Sequence, residues 1–498
     1  MKTDSVAGSG SVIILARVVG MGLSFVLFML LAQKSETDAG LFRTALTYLM
    51  FSEFFGLMGT HRWFAVELTP DGPRRWSLFV AGIVLACVSA LLIGVVQAGI
   101  SWFGVYGPNL SRAVLLVALA TLPSALLNHL QTCLVGVGQG KRMGYLNLVE
   151  SAGRSMIGIG LVFAGHGALD ILVVYISFRW LVALAGLVVV LVALLPERRG
   201  GVSDFALLSE AFGRIPQFAM IMLSFLIMRN ASILMLPALT STAEAAHFAV
   251  PFQLVDLGLL VPTILALSSN YLFNHQAGRS RSGLRWVLLQ LWTLTSVYVV
   301  PLVMLSLVFG ENLLACVFGA AYRTSAIALS ALALSMPLIA LDQVLSQTLQ
   351  ASKRYREDRN CVMFGASIAV VATFLLAREF AATGAAFAVL LTSLLLVVMR
   401  LRSLGKLIAP GLLLHIVWRP TRVALLVALP MLLAQWLADR ALAPAIAQWA
   451  WLPASLLALP LYAVLLRRTG ALRRGKVARV RKFLKVRQAP AGSVAEAA

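Results

Sequence analysis

From Ser11 to Leu466 the chain is a succession of long apolar runs separated by short polar breaks. A helix needs about 20 residues to cross a hydrocarbon core about 30 Å thick. Runs of that length fall at residues 11–32, 40–60, 77–99, 111–137, 145–165, 169–195, 216–238, 245–273, 284–309, 324–350, 360–379, 381–400, 420–438 and 446–466. The pattern predicts an all-α polytopic membrane protein with about fourteen transmembrane helices. The first run exceeds a signal-peptide core and has no evident small-residue cleavage site, so it is expected to remain as span 1.

Composition agrees with that pattern. The 498 residues are 60% hydrophobic and 12% charged, with a mean hydropathy of +0.89, against roughly 25% charged residues in a soluble domain. A net charge of +21 would suggest nucleic acid in a soluble protein, so the placement of the 41 basic residues decides its meaning. With a cytoplasmic N-terminus they cluster on the inner side: Lys2; Arg62, Arg74 and Arg75; Lys141 and Arg142; Arg198, Arg199 and Arg214; Arg279, Arg281 and Arg285; Lys353, Arg354, Arg356 and Arg359; and Arg400, Arg402, Lys406, Arg419 and Arg422. Lys34, Arg112, Arg323, Arg378 and Arg440 fall outside. The positive-inside rule then places both termini in the cytoplasm. A missed or spurious span would invert every later loop, and the alternation is kept throughout. The tail "RRTGALRRGKVARVRKFLKVR" reads as a topology anchor, with an amphipathic helix on anionic lipid as the second reading. No nucleic-acid partner is expected. Cys87, Cys133, Cys316 and Cys361 lie in spans without metal-ligand spacing, so neither a disulfide nor a metal is expected.

Two echoes divide the chain. Span 4 contains "PSALLNHL" from Pro123 and span 10 contains "PLIALDQV" from Pro337; these align Asn128 with Asp342 and His129 with Gln343, each followed by a basic pair at the inner end. Spans 2 and 8 open with "SETDAGLF" from Ser35 and "STAEAAHF" from Ser241. Both echoes are six spans apart, and six is even, so the halves enter the membrane from the same side as a parallel repeat of the alternating-access kind. The expected organisation is a six-helix lobe at 1–200, a linker at 201–215, a second lobe at 216–402, an extra helix pair at 420–466 and a basic tail at 467–498.

Charges inside the spans carry the candidate chemistry. An arginine at mid-span costs about 2.5 to 3.5 kcal/mol on insertion scales, so a persistent one faces a partner or a polar interior. Arg17 and Arg43 lie near span ends, where snorkelling and a cavity role both fit. Arg154 follows Glu150 by four residues, the spacing of an intrahelical pair. Arg179 and Arg229 sit near mid-span with no acid within a turn of their own helices. For Arg229 a pair with Asp256 or Glu53 is the structural reading. The functional one is an anion site, because guanidinium stays charged and grips phosphate oxygens bidentately. Glu53, Asp256 and Asp342 either titrate, coupling transport to H+ or Na+, or neutralise arginines. Asn230, Asn128 and His129 are candidate cavity polar groups; His129 also reads as a hydrogen-bonded packing residue. No catalytic constellation of paired carboxylates, metal ligands or nucleophile appears in any loop.

Together these features resemble the MOP superfamily of multidrug exporters and polyprenyl-diphosphate-sugar flippases. "LARVVG", "DAGLF", "FAVPFQLVDLGLLVPTILALSSNYLF", and "FGENLLACVFGAAYRTSAIALSALALSMP" leading to "LQASKRYRED" are similar to its polysaccharide-lipid flippase branch. The resemblance covers roughly residues 10–400. It implies a transporter of the bacterial inner membrane that moves an undecaprenyl-diphosphate-linked glycan outward for O-antigen or exopolysaccharide assembly, with a pathway polymerase and glycosyltransferases as partners and membrane lipid around it. It also implies that spans 1, 2, 7 and 8 surround a central cavity, where Arg229 and Arg17 would meet the diphosphate; Arg179 and Arg43 are the further candidate diphosphate-binding arginines. Peptidoglycan precursor flippases are the runner-up: their second helix-1 arginine followed by Asp and their "AFxIPN" stretch are missing from "ARVVGMGLSF" and "LFRTALTYLM". Drug exporters, commonly of twelve helices with cation-binding acids, come third. A membrane-embedded polysaccharide polymerase or ligase is the competing class, against which stand the short outer connections "QKSETDA", "TSTAE" and "DRALAPA".

Overall fold

The computed structural model describes residues 6–60, 64, 67–68, 75–194, 205–277, 280–405, 410–441 and 451–468. The described residues are helical, without a strand. The helices are α1 (Val6–Lys34), α2 (Glu36–Phe55), α3 (Arg75–Trp102), α4 (Pro108–Leu119), α5 (Thr121–Gly136), α6 (Gly140–Phe163), α7 (Ala168–Leu194), α8 (Phe205–Leu239), α9 (Thr242–Ser268), α10 (Asn270–Ala277), α11 (Arg281–Phe318), α12 (Ala326–Ala351), α13 (Tyr355–Leu404), α14 (Pro410–Ala441) and α15 (Trp451–Arg468), with a 3-10 turn at Ala320–Ser325 before α12. Among the described residues nine helices are long and apolar enough to cross a membrane, or ten if α4 and α5, bent by 42°, form one span.

Within the described residues the expected spans fall on helix, except that span 2 ends at Phe55 with a turn at 56–60, and three further boundaries differ; residues 446–450 of the last span lie outside the described residues. Span 4 is broken at Ala120 into α4 and α5. Span 8 is divided at Ser269 between α9 and α10. Spans 11 and 12 are the two arms of α13, which breaks at Ala381 (φ 48, ψ −129). At that break the Ala382 N–H, freed from the helical ladder, is accepted by Glu244 Oε2 at 3.2 Å. Part of the expected linker, most of the basic tail, and Lys2, Arg62, Arg74, Arg198, Arg199, Arg279 and Lys406 lie outside the described residues.

The helices group into two compact units, one holding the chain up to Leu254 with Val317–Leu332 and Arg356–Leu396, the other Val255–Cys316, Ala333–Tyr355 and the chain from Val397. In the first, α1 lies lengthwise on α6, while α2 packs on α1, α4, α5 and α8. Small residues permit these approaches, the usual solution where lipid gives helices no hydrophobic reason to associate. A Cβ on Gly144 of α6 would stand 2.8 Å from Val12 Cγ1 of α1, and one on Gly40 of α2 would coincide with the Thr242 carbonyl oxygen. The α1–α2 and α8–α9 turns therefore meet at one end of the unit, the end expected to face outward. The two echo segments open α2 and α9 with the same cap: Ser35 Oγ accepts from the Asp38 N–H at 3.2 Å, and Ser241 Oγ from the Glu244 N–H at 3.1 Å.

In the second unit α14 and α15 dock on α11 through Val300, Phe309, Val423, Val427, Tyr462 and Leu466. Tyr462 donates to the Val297 carbonyl at 3.2 Å and Trp292 Nε1 to Leu413 at 3.3 Å. The other face of α14 is exposed and apolar (Leu425, Leu426, Leu429, Leu432 and Leu433). At its ends Arg422 lies over Trp418 at 5.5 Å and Arg440 over Trp436 at 4.0 Å, the interfacial anchors of a transmembrane helix.

Gly40→Val is expected to destabilise the protein by about 1–3 kcal/mol or more, because backbone rather than a flexible side chain must yield. Gly160→Ala, in open space on α6, is expected to be neutral or to stabilise by up to about 1 kcal/mol. Thermal unfolding of the two detergent-solubilised variants checks both.

Candidate functional site

Buried charge in the first unit is organised around Arg179. The residue is 4% exposed and spends all its donors on neighbouring helices: Nε and Nη2 reach Glu150 Oε1 at 3.1 and 2.8 Å, Nη2 also pairs with Glu53, and Nη1 donates to Ser124 Oγ at 3.0 Å. Arg154 Nη1 adds a second cation to Glu150 at 2.8 Å, the pair that the four-residue spacing indicates, and stacks over Tyr175 at 5.1 Å. Asn128 Nδ2 donates to the Glu53 carbonyl at 2.6 Å. The network ties α2, α5, α6 and α7 together. Glu53, with 34% of its side chain exposed, is its open edge.

The second unit holds a simpler version. Asp342 on α12 pairs with Arg400, a 3%-exposed residue on α13 that also donates to the Asp342 carbonyl at 2.9 Å. The sequence reading put Arg400 in an inner connection, because it closes an apolar run; packing draws it inside. The other halves of the echoed polar pairs also reach the second span of their own half: Asn128 bonds to Glu53, and Gln343 to Thr263 at 3.2 Å.

Three of the candidate cavity residues, Arg179, His129 and Asn230, have their hydrogen bonds made within packed structure. Arg179 is enclosed by carboxylates. His129 is fully buried, stacked on Phe79 at 5.7 Å and bonded to the Phe79 carbonyl at 2.9 Å, with Phe64 at its edge. Asn230 is buried and donates to the Leu226 carbonyl one turn back at 3.0 Å. The cause is the same in each case: a polar group in an apolar interior is stable only when its hydrogen bonds are made by the groups packed around it.

Arg17, Arg43 and Arg229 are placed differently. Arg17 is exposed, Arg43 and Arg229 are half-buried, and Asp256 is half-buried. Arg43 Nη1 donates to Gln253 Oε1 at 2.7 Å and its guanidinium lies over Phe252 at 5.9 Å, both on α9. Gln253 carried no signal in the sequence, where it is one polar residue of an apolar run. The three arginines sit on α1, α2 and α8, and α2 packs on both neighbours. Counted at 1.5 Å per residue from the shared end at Lys34, Glu36 and Leu239, Arg43 lies about 10 Å in, Arg229 about 15 Å and Arg17 about 26 Å. The result is a ladder of cations along adjoining helices.

No family model matches the sequence, and no curated protein sequence matches it. The fold matches solved structures. A lipid II flippase MurJ in an inward closed conformation superposes with a TM-score of 0.67 at 12% identity, over 93% of this chain and 99% of that one. This chain has the fold of the MOP-superfamily transporters. An inward-facing multidrug resistance MATE family transporter of that superfamily matches at 0.62 and 12% identity, covering 79% of this chain and 98% of its own. A MOP superfamily transporter from Pyrococcus furiosus, described as having a binding pocket of reverse polarity, matches at 0.55 and 12% identity over 80% and 95%. These neighbours are transporters, and the MOP fold here is a multi-pass membrane protein.

Removing Arg179 strands Glu53 and leaves Glu150 with Arg154 alone, so Arg179→Met is expected to destabilise by about 3–5 kcal/mol. Glu53→Gln, at the open edge, is expected to cost less on its own and to recover part of the loss in the Arg179→Met background. Chemical or thermal unfolding of the three variants measures the order.

Proposed function

We propose that this protein is a flippase that carries a polyprenyl-diphosphate-linked oligosaccharide outward across the bacterial inner membrane for O-antigen or exopolysaccharide assembly. The observation that carries this reading is the surplus of intramembrane cation. Arg154, Arg179 and Arg400 neutralise Glu53, Glu150 and Asp342. The remaining set is Arg17, Arg43 and Arg229 against the single carboxylate of Asp256, so the balance stays positive whichever pairs these residues form. A surplus of positive charge within the spans suits an anionic cargo, and guanidinium suits diphosphate.

In this mechanism the diphosphate passes along the arginine ladder while the sugars follow in the polar interior and the prenyl chain stays in lipid. Each rung exchanges one set of charge-assisted hydrogen bonds for another, which lowers the barrier without covalent chemistry. H+ or Na+ coupling would fall to the carboxylates. Glu53 and Asp342 would first have to leave their arginines, which favours Asp256 for that role. Both termini are cytoplasmic in this reading, and the polymerase and glycosyltransferases of the same pathway are the natural partners.

A second reading, a flippase for the peptidoglycan precursor lipid II, is favoured by one observation. The MurJ superposition covers 93% of this chain, against 79–82% for the MATE and other MOP structures. The shared chemistry is a polyprenyl diphosphate; the glycan separates the two.

Arg229→Ala, at matched membrane levels, is expected to slow outward transfer of the lipid-linked oligosaccharide roughly tenfold or more, with partial recovery in Arg229→Lys, scored by the sidedness of the lipid in producing cells. Normal export in both variants would make Arg229 structural. Vesicles reconstituted with the purified protein and either lipid II or an undecaprenyl-diphosphate oligosaccharide decide between the two cargoes.

A further inference from the structure

We infer that the end of α14 nearest Pro410 is a headgroup site for an anionic phospholipid, with the leucine face of the same helix as the bed for its chains. His415, Trp418 and Arg422 are exposed near that end, and Leu425, Leu426, Leu429, Leu432 and Leu433 are exposed beyond them. At 3.6 residues per turn these positions fall within about one third of the helix circumference. The opposite side of the helix, with Val423, Val427 and Met431, packs on α11 and α15.

The order along this face is that of a phospholipid, donors first and hydrocarbon after. Arg422 lies over the Trp418 ring at 5.5 Å, which steadies the guanidinium while its edge N–H groups stay suited to phosphate oxygens. His415, two turns nearer the helix start, offers a ring N–H in either tautomer. From Arg422 to Leu433 the helix rises about 16 Å, close to half of a hydrocarbon core about 30 Å thick. The leucines therefore run the depth of one leaflet from the headgroup donors.

An arginine on a tryptophan is by itself an interfacial anchor, and the far end of α14 is of that kind: Arg440 lies over Trp436 at 4.0 Å, with Asp439 next to it in the chain. The Pro410 end gathers more positive charge. Arg468 is exposed at the end of α15, just after Leu466, which packs with α14 and α11. Between Glu379 and Glu496 the sequence has one acid, Asp439, and it belongs to the far end of α14. Such a surplus complements a headgroup of net negative charge, whereas a zwitterionic one brings its own cation and gains little. The cytoplasmic placement of the termini, adopted with the proposed function, decides only that the lipid comes from the inner leaflet.

The test uses the full chain with Cys87→Ala, Cys316→Ala and Leu426→Cys, the last carrying a bimane fluorophore, in phosphatidylcholine vesicles that receive either brominated phosphatidylglycerol or brominated phosphatidylcholine. The ratio of quenching by the two lipids measures the preference of this face. Phosphatidylglycerol is expected to be favoured roughly fivefold, with most of the preference kept in Arg422→Lys and near parity reached when Arg422→Gln is combined with His415→Gln. The fluorophore placed instead by Val371→Cys, at an exposed position of α13, is expected to read near parity. Equal quenching by both lipids at Leu426→Cys overturns the site, and so does a preference that survives the double substitution, which would assign the attraction to the basic tail. Release of the quencher by polyprenyl diphosphate, but not by added unbrominated phosphatidylglycerol, would give the face to the cargo and overturn it as well. The vesicles have the same lipid in both leaflets and hold no lipid-linked glycan, so equal quenching leaves the topology and the flippase reading untouched.

Discussion

The cost of an unpaired charge in hydrocarbon governs this molecule. Glu53, Glu150 and Arg179 sit where an isolated ion could not stay, and each exists there because the others do. The network is therefore less a source of net stability than a condition on how α2, α5, α6 and α7 can pack. A helix that rotated by a quarter turn would expose an ion to lipid, so the register of four helices is tied to one guanidinium. In the second unit, Arg400 and Asp342 impose the same condition on α12 and α13.

Against that background the distribution of charge becomes informative. The ion pairs Glu150–Arg179 and Asp342–Arg400 tie helices together, whereas Arg17, Arg43 and Arg229 lie on α1, α2 and α8 of the first unit and are the residues on which the proposed anion pathway rests. Their depths differ along helices that adjoin. The echo of α2 in α9 shows in their matching serine caps, and the two helix starts are in contact at the end expected to face outward.

Much of this was legible in the sequence, for identifiable reasons. Spans announce themselves because a membrane demands length and apolarity together, and even the turn at Ala381 was marked by the polar pair Arg378 and Glu379 just before it. Arg154 and Glu150 were legible because helical spacing alone brings them together. The partners of Arg179 were not: Glu53 and Glu150 come from other helices, and no local pattern states which helix faces meet. Arg400 was misplaced for a related reason, since the end of an apolar run does not reveal whether its last charge turns outward or in. Gln253 was hidden because single polar residues in apolar runs are common, and only three-dimensional contact distinguishes this one from the rest.

The aromatic ends of α14 act as a ruler. Trp418 and Trp436 are eighteen residues apart, about 27 Å along a helix, and the leucines between them face outward. A bilayer whose apolar slab has that thickness seats both tryptophans at its borders with α14 upright. A thicker one must thin locally, and a thinner one must tilt the helix, at a fraction of a kcal/mol per ångström. Since α14 is fastened to α11 through Trp292 and the α14–α15 pair through Tyr462, such a tilt would be passed to α11, giving lipid chain length a mechanical route into the second unit.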